Sequence, residues 1–262
     1  MKQMTLMIFL VLALQLQGQE SPSSVPKQSA IEDAIALLRD IDRRFDQLQS
    51  IEYHVVKKTG IKGQKYTESF SFSLQAPASV RIDVEKPSRR LVVITEESLI
   101  EYIPEARKAR KTLFESIKGS ERHALISNVL SRATVEGLRI GNTEEMMKRL
   151  DRVSVQGESE GLWVLEGSKP DYRIVVDSKR HVLVETELKN ENDKVILKTT
   201  AVDFNEVVPG FWFPTEIHAT YPSDSGWIES TVYLTEVKIN TSIPQESFFF
   251  HKPRGVEWVL DK

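Results

Sequence analysis

From Tyr66 onward the hydrophobic period of the chain drops from the helical value of about 3.6 to 2, and that change limits what it can fold into. Tyr66, Phe70, Phe72 and Leu74 alternate with Thr67, Ser69, Ser71 and Ser73, and Val80, Ile82 and Val84 alternate with Arg81, Asp83 and Glu85. Successive side chains of a strand point to opposite faces, so this pattern predicts half-buried strands with one apolar and one solvated face. Pro77 and Pro87 punctuate the turns, and residues 91–94 and 99–103 supply the next pair of strands. Consecutive antiparallel hairpins are expected.

A helix precedes them. Ser29 with Glu32 three residues later makes a capping-box pattern, and Ile31, Ala34, Ile35, Leu38, Ile41, Phe45 and Leu48 recur at helical spacing through Ser50. Arg39, Asp40, Arg43, Arg44 and Asp46 form the other, solvated face, so the apolar stripe must cover something. Residues 113 to 150 break the strand rhythm with helix-like stretches, around His123 to Leu130 and from Asn142, a cap with Glu145 at its third position. Strands are expected to resume at 162–165, 172–176, 182–188, 195–204, 211–221, 227–239 and 248–250, with "NEND" and "SDSG" as hairpin connections. The sum is an α+β chain built on one curved antiparallel sheet with helices covering its concave face.

The N-terminal stretch joins Lys2 to an apolar run from Met4 to Leu16, too short for a comfortable membrane span, with Gly18 as a small residue for cleavage. Residues 1–18 therefore read as a signal peptide, 19–28 as a flexible leader, and 29–262 as a single domain with a helical insertion at about 113–150. The expected location is periplasmic or secreted. With no cysteine there is no thiol nucleophile, no Cys-ligated zinc, no disulfide and no lipid-modified N-terminal cysteine. A net charge of -3 supplies no global basic field for nucleic acid.

The five histidines, at 54, 123, 181, 218 and 251, are isolated in sequence, and no metal, P-loop or G-x-S-x-G motif occurs. Carboxylate pairs such as Glu96-Glu97, Glu144-Glu145 and Glu185/Glu187 fall in turns, caps and strand faces, where solvated charge is the simpler reading than acid–base work. No catalytic residue, metal or cofactor is assigned. "EARKARK", with Arg107, Lys108, Arg110 and Lys111, is a basic stripe that reads as an exposed strand end, the alternative being a contact for phospholipid headgroups or an acidic partner.

Three segments carry a family resemblance: the helix end "FDQLQSIEYHV", the stretch "LQAPASVRIDVEKPSRRLVVITEESLIEYIPEARK", and the closing "INTSIPQESFFFHKPRGVEW". Together they resemble the LolA/LolB-like lipoprotein carriers, the outer-membrane lipoprotein-sorting family. Tyr102 and Pro104 fall on the family's Tyr and Pro, and Phe248, Phe250, Pro253 and Gly255 follow its last strand. Ala76 stands where the family has an arginine that helps hold the cavity shut, and Thr95-Glu96 replaces its Asp-Gly turn. Strand alternation turns Arg81 away from any inward substitute role.

The resemblance implies a half-barrel with helices as a lid, enclosing an apolar cavity for acyl chains. Its lining would be Phe70, Phe72, Leu74, Val80, Ile82, Tyr102, Phe213, Ile217 and Phe250, covered by Ile35 and Leu38 of the helix and by Met146 and Met147 of the insertion. Expected partners are a lipid or lipoprotein acyl chain and an inner- or outer-membrane protein, the carrier itself being a monomer. A regulatory module of the same fold acting through a protein partner, and an exported hydrolase, are the rival readings.

Overall fold

A computed structural model describes residues 28–77, 79–117, 119, 122, 125–126, 147–148, 150–156, 161–168, 171–224 and 226–260. The expected signal peptide, nearly all of the leader and most of the helical insertion, Met146 included, lie outside the described residues.

Helix α1 spans Gln28–Asp46 and turns Ala34, Leu38 and Ile41 into the core. It ends a turn earlier than its periodicity suggests: Gln47 and Leu48 donate back to the carbonyls of Arg43 and Phe45, closing the last turn beside two cations that suit the negative end of the helix dipole. Leu48 keeps its helical spacing because it is buried from the linker, and the chain is extended from Ser50 on.

Among the described residues fourteen strands follow. The first meander comprises β1 (Ser50–Ile61), β2 (Gln64–Gln75), β3 (Ser79–Lys86), β4 (Arg90–Ile94), β5 (Ser98–Ile103) and β6 (Lys108–Leu113). The second comprises β7 (Leu150–Gln156), β8 (Leu162–Gly167), β9 (Tyr172–Asp177), β10 (Val182–Lys189), β11 (Val195–Val208), β12 (Phe211–Ser223) and β13 (Gly226–Ile239). These thirteen, with β14 (Glu257–Leu260), form one sheet in the order β14-β6-β5-β4-β3-β2-β1-β13-β12-β11-β10-β9-β8-β7. The two meanders meet where β1 pairs antiparallel with β13, and β14 adds to β6 as the one parallel pair among the described residues. The expected α+β class and curved antiparallel sheet are what the chain adopts.

The apolar positions of paired strands fall on one continuous face. Phe72 is opposite Tyr53 and Ile82, Ile82 opposite Val92, and Val55 opposite Leu234. Val232 is opposite Ile217, and Ile217 opposite Ala201. This is the concave face, and α1 packs on it. The other face is polar over the central strands, where His54 meets Ser71 and Glu52 meets Ser73.

The C-terminal segment departs from expectation. Residues 248–250 are not a strand: Pro244 opens a 3-10 turn over Gln245–Phe248, in which Phe249 donates to the carbonyl of Glu246, and the terminal strand forms later, at Glu257–Leu260. The segment crosses the convex face of β3–β5, with Arg81 Nη1 donating to the Ser247 carbonyl at 2.8 Å while its Nε pairs with Asp83 at 2.6 Å. Arg81 thus points away from the concave side, as alternation requires. Of the three phenylalanines Phe248 is buried, Phe249 is 47% exposed and Phe250 is half-buried.

Candidate functional site

The sheet brings most of the expected cavity residues together. Phe70, Phe72, Val80, Ile82, Phe213 and Ile217 belong to one buried cluster drawn from β1–β5 and β11–β13, and Leu74 packs against it. These strands are distant in sequence, and the β1–β13 pairing is what unites them. Aromatic rings bridge the join: Phe72 stacks on Tyr53 at 4.9 Å, Tyr53 lies 6.1 Å from Phe213, and Phe213 lies 6.2 Å from Phe45 of α1, which meets Phe211 edge-on at 5.7 Å. Such pairs contribute about 0.5–1.5 kcal/mol beyond their buried area. Tyr53 and Phe211 were not singled out as lining residues. The signal for Tyr53 was present, since Ile51, Tyr53 and Val55 alternate. Burial pushes the Tyr53 phenol well above its ordinary value, so the ring sits on this face as a neutral side chain.

The lid residues sit elsewhere on the same face. Leu38, Ile35 and Met147 pack with Ala34 and Ile41 against Leu165, Ile174, Val176 and Leu183, a second cluster over β7–β10. They do not cover Phe72 or Phe213. Among the described residues, those packed over the first cluster from outside the sheet include Phe45, Ile117, Leu125 and Ile126.

Two expected lining residues lie on the opposite face. In β5, Leu99 shares the concave side with Ile94, so Tyr102, three positions on, points to the convex side, opposite Leu91 and Ala109. There its ring meets Phe250 at 5.2 Å, and Phe250 meets Trp258 at 5.6 Å. Phe250 reaches this side because the C-terminal segment crosses it instead of pairing as a strand. Next to these rings, Gln75, Pro77, Val93, Glu96, Glu97 and Phe248–Phe250 help to line a cleft of about 700 Å3 on the convex side. The Thr95-Glu96 turn beside it is held by Thr95 Oγ1, which accepts from the backbone N–H of Glu97 and Ser98.

Polar groups gather where the C-terminal end of α1 meets the sheet. Asp40 accepts from Arg43, from Arg44 Nε at 2.9 Å and, at 2.6 Å, pairs with His181 Nδ1. Arg44 Nη1 also donates to the Gly210 carbonyl. Burial works to raise the Asp40 pKa, but the hydrogen bonds from Arg43 and His181 and the Arg44 charge outweigh it and hold the carboxyl below its ordinary value of 3.8. Arg180 lies over the Phe204 and Trp212 rings at 5.5 and 5.3 Å. These contacts tie the helix to the β9–β10 and β11–β12 turns. Among the described residues no cluster of three metal-ligating side chains occurs, and no helix is long and apolar enough to cross a membrane.

Solved structures share this architecture. A DUF1329 family protein from Desulfovibrio piger superposes with a TM-score of 0.53 at 15% identity, covering 84% of this chain and 97% of that one. A putative outer membrane lipoprotein-sorting protein domain from Vibrio parahaemolyticus gives 0.52 at 9% identity, over 83% and 97%. A LolA superfamily protein from Nitrosomonas europaea gives 0.50 at 13%, over 82% and 96%. No protein-family model matches the chain, and no curated protein matches its sequence. At these identities the likeness is one of fold: the chain has the LolA-like architecture that its sequence resembles.

Proposed function

We propose that the protein is an exported, non-enzymatic carrier that holds an acyl chain of a lipid or lipoprotein against the β1–β5 and β11–β13 half of its concave face and works as a monomer. One observation carries this reading. The apolar cluster spans eight strands, about 38 Å at 4.8 Å per strand, whereas a helix is only about 10 Å across. The 19 residues of α1 lean on β7–β10 and reach the other half through Phe45. A face that wide, lined by Phe70, Phe72, Phe213 and the neutral Tyr53, suits a long flexible apolar guest. At about 0.8 kcal/mol per methylene, a chain of about 16 carbons would supply about 12 kcal/mol before the cost of ordering it. The fold shared with a lipoprotein-sorting domain supports the same reading.

Native mass spectrometry of the protein purified from its own envelope, followed by lipid extraction, tests this. A stoichiometric lipid or acylated peptide is expected. It should be lost in Phe72→Asp, and weakened in the milder Leu74→Gln, a half-buried position whose change should leave the fold intact, as circular dichroism would check. A clean apo mass together with no uptake of added lipid or lipopeptide would refute the carrier. A second reading, a sensor acting through a protein partner, rests on the convex cleft, where Phe249 is exposed at its edge. Saturable binding of an envelope protein, abolished by Phe249→Ser with lipid uptake unchanged, would favour it.

A further inference from the structure

The antiparallel order of the first meander places the β1–β2, β3–β4 and β5–β6 turns at one end of the sheet, and the parallel pairing of β14 with β6 brings the loop before β14 to the same end. Charge collects there. The β1–β2 turn carries Lys58, Lys62 and Lys65 with no carboxylate between residues 58 and 66. Lys86, Arg89 and Arg90 flank the next turn against Glu85 alone. Arg107 and Lys108 follow with Glu105, then Lys252 and Arg254 with Glu257. In the β1–β6 turns and the loop before β14, ten cations thus stand against three carboxylates, with Glu229 of β13 opposite Gly60 beside the first turn, in a chain whose net charge is -3. Lys62, Lys65, Arg89 and Lys108 are exposed, and among the described residues none of them forms an ion pair.

The same end of the other meander is different. The β10–β11 and β12–β13 turns hold Glu191, Asp193 and Asp224 against Lys189 and Lys194, and Lys189 is tied to Asp193 at 2.8 Å. Large apolar side chains also emerge at this end: Tyr66 is 49% exposed, Ile103 45% and Trp227 55%. Tyr66 beside Lys65 has the composition of side chains that settle at a membrane–water interface, and Trp227 stands at the neighbouring β12–β13 turn, where Asp224 is the nearest charge in sequence on its N-terminal side. Tyr66 and Ile103 stand on the concave side, continuing the apolar face toward the rim, because Tyr66 is opposite Thr59 in the register that places Tyr53 opposite Phe72.

We propose that this rim is a docking surface for an anionic lipid bilayer, which it meets with the β1–β6 turns pressed to the headgroups and Tyr66, Ile103 and Trp227 entering the interface. The bilayer is favoured over an acidic protein segment because the charge is spread over four separate loops around exposed aromatic and aliphatic side chains, a broad rim in place of a groove. This inference rests on the carrier reading for its purpose, namely to bring the concave face to a source of acyl chains, but not for its measurement.

The test is co-sedimentation of the purified protein with vesicles of phosphatidylglycerol and phosphatidylcholine, in parallel with vesicles of phosphatidylcholine alone. Binding to the anionic vesicles only is expected, falling with added salt. The triple variant Lys65→Glu, Arg89→Glu and Lys108→Glu, one exposed cation from each turn, should weaken partitioning on the order of 100-fold, since each cation near an anionic surface contributes about fivefold. Reversal of Lys194 in the β10–β11 turn should leave it unchanged. Equal binding by the triple variant, or no binding to anionic vesicles, would overturn the proposal, even if an acidic peptide were captured. Uptake of a fluorescent fatty acid measured without vesicles separates the two readings: failure there defeats the carrier and leaves the docking result standing.

Discussion

The concave face is built in two ways. Over β7–β10 it is aliphatic and tightly closed, with Ala34 letting α1 approach while Leu38 and Ile41 sit against Leu165, Ile174 and Val176, all five large side chains 2% exposed or less. Over β1–β5 and β11–β13 it is also aromatic: Phe72, Tyr53 and Phe213 bridge strands in a line that ends on Phe45 of α1, and this half is just as buried, with Phe213 and Ile217 at 0% exposure. Small and branched side chains allow helix and sheet to interdigitate at native density, whereas in the other half large rings pack on one another across the strands. Under the proposed carrier function, a guest would contact the aromatic half and leave the helix-packed half unchanged.

The sharpest way to break the comparison is Leu38→Asp, which puts a charge into the closed half. A loss of about 4 kcal/mol or more is expected, enough to unfold the chain or lower its urea midpoint severely. Truncations on the two sides should then separate. Ile174→Ala should cost about 2–5 kcal/mol whether or not acyl ligand is present. Phe72→Ala should cost about 3 kcal/mol in the apo protein, with part of that loss recovered when an acyl ligand fills the space, as differential scanning calorimetry with and without added lipid would read. Equal responses on both sides would remove the distinction.

Two smaller effects test what holds each half in place. Arg81→Gln should release the C-terminal segment from β3 at a cost of about 1 kcal/mol, seen as faster amide exchange at Ser247 to Phe250 with α1 unaffected. Asp40→Asn acts on the helix side. The native carboxyl titrates below its ordinary value of 3.8, so its ion pairs contribute above that pH and are lost as pH falls through the depressed value. The variant should be less stable by about 0.5–1 kcal/mol near neutrality and should show a shallower decline below about pH 4.

Alternation made the central strands legible. The serines of "SFSFSL" on the polar side and the phenylalanines on the apolar side hold a register that a one-residue slip would invert. Elements without a clean pattern were not legible. β6 reads "KARKTL", and its one buried residue is Ala109: its hydrophobicity does not mark a strand, and only the reading of "EARKARK" as an exposed strand end points to it. β1 hid behind the helical spacing of Leu48. The site followed the same rule. Residues on regular strands were assigned to the correct face, except Tyr102, whose family resemblance carried no information on which way β5 faces. Phe250 could not be placed because a 3-10 turn at Pro244 and the hydrogen bond from Arg81 decide the path of the last segment, and both are tertiary events. The separation of Leu38 from Phe72 required the strand order, which local patterns do not encode.

That strand order has a kinetic consequence. Ser50 Oγ donates to the carbonyl of Thr241 across 191 residues of chain, at the line where β1 meets β13. Closing a loop of that length costs about 4–5 kcal/mol of chain entropy before any contact offsets it, whereas every other antiparallel neighbour in the sheet is consecutive in sequence. Contact order therefore predicts that each meander forms first and the central seam last. Since Tyr53 and Phe72 lie on one side of the seam and Phe213 on the other, the aromatic face is complete only once β13 has paired with β1, after almost the whole polypeptide has been delivered.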